Sequence, residues 1–338
     1  MKTYSNIPTN IISGFLGAGK TTAIQALLKL KPASETWAVI VNEFGQVGID
    51  GALLNNDRIE IKEIPGGCLC CVGSQSLSVG LNQLIRTVKP QRILIEPTGL
   101  GHPANLINSL TGEFYHTVLD LKAIINLLDA RQLTDSRYTN NETFIDQSNL
   151  ADILIASKFD TYTAEDKNCF INYAMSFKPG KFKVAMVEQG RLQLEWLDLP
   201  RLKNRSAEFP QSHSLHKVEA SCDAIAKDDE GWLMVEGHAN GFNSLGWKLN
   251  KMFVFNREKL IHFIESLFEK GGVERAKGVL HMAEGWVSFN FTHTEREILV
   301  GVSNTHSVFE IIASNILDSQ ALGLALKSCL SEKLGPRI

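Results

Sequence analysis

The chain predicts a doubly wound α/β fold with a mostly parallel sheet, followed by a smaller C-terminal α+β domain. Short runs rich in Ile and Val alternate with amphipathic stretches through the first half, the pattern of strands buried on both faces of a sheet. Near Arg201 the texture turns polar and loses its periodicity, and strand-like runs with few helices between them follow. At 338 residues the chain exceeds the roughly 250–300 that a single core serves, so two domains are expected.

The expected strands of the first domain are "NIISG" (10–14), "WAVIVNE" (37–43), "IEIKEI" (59–64), "RILIEP" (92–97), "AIINLLD" (123–129), "ILIASK" (153–158) and "FKVAMVE" (182–188). Between the first two lies "TTAIQALLKLK", which places Ile24, Leu27 and Leu28 on one helical face and stops at Pro32. A second helix is expected from about Ser74, with Leu77, Leu81, Leu84 and Ile85 as its apolar stripe. The first domain is drawn at 1–203, a linker at 204–217 and the second domain at 218–338. In the second domain "FNSLGWKLNKMFVF" reads as a strand, and "NREKLIHFIESLFEK" as a helix capped by Asn256. "AKGVLHM", "GWVSFNFT", "REILVGVS" and "HSVFEIIAS" read as further strands of a mostly antiparallel sheet, and "DSQALGLALKSCL" as a closing helix.

A net charge of −3 supplies no global field for nucleic acid or anionic lipid, so neither is an expected partner. The opening "MKTYSNIPTN" lacks a signal-peptide core, and no apolar run nears the roughly 18 residues of a membrane span. A cytoplasmic location is therefore expected. Of the six cysteines, Cys169, Cys222 and Cys329 are scattered and suit packing as small hydrophobes. Cys68, Cys70 and Cys71 fall within four positions, which points to metal or redox chemistry rather than a disulfide framework.

Four stretches carry chemistry. "GFLGAGKT", Gly14 to Thr21, fits G-x-x-x-x-G-K-[ST] between a strand and a helix, the setting of a P-loop. Its glycines let backbone N–H groups converge on phosphate oxygens, Lys20 would neutralise β/γ charge, and the Thr21 hydroxyl would ligate Mg²⁺. Gly14, Gly17, Ala18, Gly19, Lys20, Thr21 and Thr22 are the expected nucleotide contacts. "RILIEPTGLG" ends a strand in Glu96, an acid able to hold Mg²⁺ directly or through water, and Gly99 could offer its N–H to a γ-phosphate. Lys20, Thr21 and Glu96 are the candidate catalytic residues. "SKFD" places Lys158 and Asp160 as in the guanine-reading N-K-x-D motif, with Ser157 at the Asn position. Asp160 would accept from the guanine N1–H and exocyclic amine. "VNEFGQVGID" has the position of a first switch, where Asp50 could reach the Mg²⁺ shell and Glu43 either metal.

Ligand-contacting loops of open α/β sheets lie at the carboxyl ends of the strands, so all these loops should share one rim with the cysteines. Three thiolates near a helix N-terminus suit Zn²⁺ or another soft ion. Structural zinc takes four ligands, leaving the fourth place to water, Glu43, His102 or a partner. Redox-active or inert buried thiols are the alternatives. His213 and His216 have H-x-x-H spacing in the linker, where histidines are more often solvated than ligating.

"GFLGAGKTT", "VNEFGQVGID", "GGCLCC", "IEPTGLGHP" and "VERAKGVLHM" together resemble the CobW-like zinc-binding P-loop GTPases over nearly the whole chain. That resemblance implies the P-loop NTPase fold, hydrolysis of GTP to GDP and phosphate, and zinc binding by the C-x-C-C loop. It also implies delivery of metal to client metalloproteins, and a C-terminal domain for contacts with clients or, in a metal-dependent homo-oligomer, with other copies. The cofactors expected are GTP, Mg²⁺ and Zn²⁺. With neither general base nor arginine finger evident, intrinsic turnover should be low. The rival reading is a metal-responsive regulator or zinc buffer with nucleotide as effector only. A small-molecule kinase would need an arginine-rich lid, and "GLGHPANLINSLTGEF" offers none.

Overall fold

The structure is a computed structural model that describes residues 5–41, 58–63, 73–99, 101, 103–209, 224–227, 232–239, 242–269, 271–293, 296–300 and 306–331. These fall into two compact units, one holding the described residues up to Phe209 and the other those from Ala224 onward.

The first unit is built on an eight-stranded parallel sheet. Its strands are β1 (Ile7–Gly14), β2 (Trp37–Val41), β3 (Ile59–Glu63), β4 (Arg92–Glu96), β5 (Leu119–Leu121), β6 (Ile125–Asp129), β7 (Ile153–Ser157) and β8 (Lys183–Met186). They run in the order β3-β2-β4-β1-β6-β7-β8, with β5 paired to the start of β1. Alternate residues of each strand enter opposite cores. Trp37, Val39 and Val41 join Leu94 and the helix α1 (Lys20–Leu30) on one face, while Ala38, Ile40, Ile93 and Ile95 pack on the other. That second face is covered by α2 (Gly73–Val88) and α3 (Pro103–Thr111). Ile24, Leu27 and Leu28 of α1, and Leu77, Leu81, Leu84 and Ile85 of α2, are buried as their spacing predicts. Helices α4 (Glu142–Leu150) and α5 (Ala164–Ser176) complete the described helices of the unit, with a helical turn at Ser136–Thr139.

Two features differ from expectation. The three residues of β5 extend the edge of β1 that β6 continues, a pairing too short to leave a pattern in the sequence. The start of the expected linker is fastened to the first unit. The Arg205 guanidinium reaches Asp152 at 3.0 Å and donates to the carbonyls of Pro179 and Gly180, and the backbone N–H groups of Glu208 and Phe209 donate to Asp146.

The second unit is a seven-stranded antiparallel sheet in the order β14-β13-β12-β15-β11-β10-β9. The strands are β9 (Ala224–Lys227), β10 (Trp232–Ala239), β11 (Phe242–Leu249), β12 (Val273–Met282), β13 (Gly285–Thr292), β14 (Arg296–Val300) and β15 (Ser307–Ala313). Helices α6 (Arg257–Glu269) and α7 (Ser319–Ser328) pack on it through a core that includes Leu260, Ile264, Leu326, Phe289 and Phe309. Asn256 caps α6 as expected, its side-chain oxygen accepting from Lys259 N. The run expected as one strand to Phe255 ends instead at Leu249. Asn250 forms a turn there, its side chain accepting from Met252 N and its carbonyl from Phe253 N.

Candidate nucleotide and metal site

Strand parity positions the site. On β4, Ile93 and Ile95 face α2 and α3, so Leu94 and then Glu96 face α1. The Glu96 carboxylate, 4% exposed, consequently meets the first turn of α1, where Thr21 Oγ1 donates to Glu96 Oε1 at 2.8 Å. Two of the residues expected to serve Mg²⁺, Thr21 and Glu96, are 75 positions apart and in direct contact. A hydroxyl and a carboxylate are the hard oxygen donors that Mg²⁺ takes from protein, so the pair fits that ion.

Between β1 and α1 the chain makes the tight loop its glycines foretell. Gly14, Gly17 and Gly19 all hold positive φ. Gly19 occupies the N-cap position of α1 with no side-chain cap, leaving the first N–H groups of the helix to an anion. Ala18 is fully buried, and its N–H donates to Phe15 O at 3.2 Å. Lys20 is 5% exposed, and its Nζ donates to Gly14 O at 2.9 Å and Phe15 O at 3.2 Å, so the ammonium lies against the loop. Thr22 is exposed at the start of the helix.

The segment after β4 presses on this loop. A Cβ on Gly99 would come within 2.9 Å of Leu16 N and 2.8 Å of the Leu16 side chain, so only glycine fits. The Gly99 and Gly101 carbonyls accept from Gln147 Nε2 of α4 at 3.0 and 3.1 Å.

At the end of β7, Ser157 lies beside the loop, a Cβ on Gly19 being 3.8 Å from the Ser157 Cβ. The Ser157 hydroxyl donates to Leu128 O at 3.1 Å, tying β7 to β6. Lys158 adopts a left-handed backbone with φ 59°, and its Nζ stands 3.5 Å from Asp129 Oδ2. Burial pushes the Asp129 carboxyl up, but the hydrogen bonds from Arg131 and the Lys158 charge outweigh it and hold it below the ordinary carboxylate range. Asp160 follows in a short 3₁₀ turn, exposed, with its carboxylate unengaged among the described residues.

Three contributors escaped the sequence reading. Arg131 holds Asp129 through Nε at 2.9 Å and Nη2 at 2.5 Å, which fixes the carboxylate facing Lys158. Tyr162 accepts from Ala130 N at 2.7 Å and donates to Ser157 O, bracing the ends of β6 and β7, and burial pushes its phenol up. Gly190, with φ 68°, sits against α1, where a Cβ would be 2.6 Å from Ala23 N. A glycine in "VEQGRL" after an expected strand was the one available signal for the third.

Glu43, Asp50, Cys68, Cys70, Cys71, His102, His213 and His216 lie outside the described residues. The strand that leads to the cysteines ends at the same rim as Glu96. Val41 of β2 is in register with Glu63 on one side and Glu96 on the other. Two strand spacings, about 10 Å, therefore separate the backbone at Glu63 from Glu96.

A family model described as the CobW/HypB/UreG nucleotide-binding domain matches residues 8–182. The chain belongs to the CobW/HypB/UreG family. It is 40% identical over 323 residues to the zinc chaperone YeiR of Escherichia coli (strain K12), covering 94% of this chain and 96% of that one. It is 33% identical over 172 residues to the zinc chaperone YjiA of the same organism, covering 48% and 52%. Among solved structures, zinc-bound YjiA GTPase from E. coli aligns with 96% of this chain and 99% of that one, at 17% identity and a TM-score of 0.45. The family match spans the phosphate loop, Glu96 and the "SKFD" turn, and ends just before β8. No helix among the described residues is long and apolar enough to cross a membrane.

Proposed function

We propose that this protein is a zinc-handling GTPase, which hydrolyses GTP to GDP and phosphate and couples its nucleotide state to binding zinc and passing it to client metalloproteins. The observation that carries the reading is the Thr21–Glu96 contact at the mouth of the phosphate loop, 2.8 Å long and assembled from the first turn of α1 and the end of β4. The likeness to the zinc chaperone YeiR along nearly the full length of both chains supports the metal half of the proposal.

In this reading the backbone N–H groups of the loop and of the first turn of α1 receive the phosphates. Lys20 moves from the carbonyls of Gly14 and Phe15 onto the β/γ oxygens and stabilises charge as the terminal phosphoryl departs. Thr21 and Glu96 would hold Mg²⁺, which when bound draws charge off the β- and γ-phosphates; Asp50 adds a further oxygen. Gly99, close against Leu16 of the phosphate loop, would offer its N–H to the γ-phosphate. Asp160 reads the guanine edge, and the Lys158 stem lies along the base. With Ser157 committed to Leu128 O, guanine selection rests on Asp160 rather than on a side-chain amide at 157.

Zinc is the cargo. Cys68, Cys70 and Cys71 supply a soft thiolate set of three, completed by water, Glu43, His102 or a partner, and an incomplete protein shell suits an ion that must leave again. Low intrinsic turnover and a metal-dependent homo-oligomer belong to the same proposal, as does a cytoplasmic location.

The test is phosphate release from GTP and from ATP, each with and without Zn²⁺, together with zinc stoichiometry in a variant carrying Ala at 68, 70 and 71. The expected outcome is GTP preference, a zinc-dependent rate, and loss of stoichiometric zinc in the variant with GTP binding retained. ATP preference would overturn the guanine assignment. Zinc that persists in the triple variant would overturn the metal assignment, and a zinc-insensitive rate would favour a buffer with nucleotide as effector only.

A further inference from the structure

We propose that Gln147 is a positioning residue that latches the segment after β4 and sets the rate of the chemical step; this rests on the GTPase reading above. Gln147 lies on α4, 1% exposed, with no role suggested by its place in the sequence. Both hydrogens of its Nε2 are used on one target, the carbonyls of Gly99 and Gly101 at 3.0 and 3.1 Å. That segment is held from the other side by the contact of Gly99 with Leu16 of the phosphate loop. The Gly99 and Gly101 carbonyls are therefore set by a side chain from a different helix.

The amide has a second face. Gln147 Oε1 is buried and has no hydrogen-bond partner among the described residues. A buried amide oxygen left unpaired is costly and calls for an explanation. A latch supplies one. In the arrangement seen here the side chain only donates, and its oxygen is available to accept a backbone N–H once the segment re-forms around a γ-phosphate. The same side chain then has favourable contacts in two loop states, which is what a switch element needs.

Helix α4 also joins this latch to the last described residues of the first unit. The neighbouring Asp146, fully buried, accepts from the backbone N–H groups of Glu208 at 2.6 Å and Phe209 at 3.2 Å. A shift of Gln147 with nucleotide is thus positioned to be felt at Glu208 and Phe209.

Two measurements test the latch. In wild-type protein, the Gln147 side-chain amide resonance should shift between the GDP complex and a complex with a non-hydrolysable GTP analogue. In Gln147→Met, which keeps the length and loses both donors, kcat for GTP should fall about tenfold while KM stays within twofold, and Gln147→Glu should fall at least as far. A resonance that does not move, or a folded Gln147→Met with wild-type kcat, would overturn the proposal; if neither variant folds, the resonance alone decides it. Absence of GTP turnover in the wild-type protein would instead strike the GTPase reading, and the resonance would still judge the latch.

Discussion

Asp160 is exposed, and no described group competes for its carboxylate, so its energy is available to whatever base enters beside Lys158. Replacing it by Asn exchanges an acceptor pair for one acceptor and one donor, which mismatches guanine and matches xanthine. Asp160→Asn should therefore invert the preference between GTP and xanthosine triphosphate, by roughly 10⁴-fold in relative kcat/KM. Competition kinetics with both nucleotides read this directly, and an unchanged preference would remove Asp160 from the base pocket. At this scale the sequence singles out residues wherever a motif carries its own chemistry. Lys20, Thr21, Glu96 and Lys158 could be singled out because phosphate, magnesium and guanine each demand particular atoms. The residues that hold those side chains were not legible. Tyr162 and Gln147 act through backbone groups of Ala130 and Gly99 that the fold brings near, and Arg131 through Asp129 two positions away, a local pair that belongs to no motif.

Among the elements, α4 and the strand entry behind it take an unexpected share of the stabilising contacts. Asp152, immediately after α4, accepts from Ile124 N at 2.9 Å, Leu202 N at 3.0 Å and Arg205 Nε at 3.0 Å, with both partners of the ion pair nearly inaccessible. Lys181 donates to the carbonyls of Asn149 and Ala151, which end that helix, and burial followed by the Arg205 charge pulls its ammonium down to about 7. Removing one member of a buried pair leaves the other charge uncompensated. Arg205→Met should cost about 3–5 kcal/mol in urea unfolding of the nucleotide unit. A loss under 1 kcal/mol would show that the segment from 204 onward is only loosely attached. The strands buried on both faces were legible because continuous apolar runs admit few other readings, and α1 and α2 because their apolar stripes repeat at helical spacing. Strand β10 was missed for a physical reason. Trp232, Leu233, Met234 and Val235 are apolar at both parities and Glu236, Gly237 and His238 are polar at both, so no period of two survives; eight register pairs with β11 make the strand.

Across the molecule, one sheet rim gathers the phosphate loop, the Glu96 strand end, the "SKFD" turn and the strand end from which the chain runs on to the three cysteines. That convergence follows from parallel strand order rather than from any single contact, since β1 and β4 are neighbours at the point where the winding reverses. A triphosphate and a zinc ion bound along this rim should sense one another. Coupling between neighbouring sites of this kind amounts to about 5–150-fold in affinity. The direct measurement is zinc affinity, by competition with a chromophoric chelator, for the full-length protein saturated first with GDP and then with a non-hydrolysable GTP analogue, Mg²⁺ present in both. The dissociation constants should differ by at least fivefold between the two states; constants equal within twofold would show the two sites to be independent.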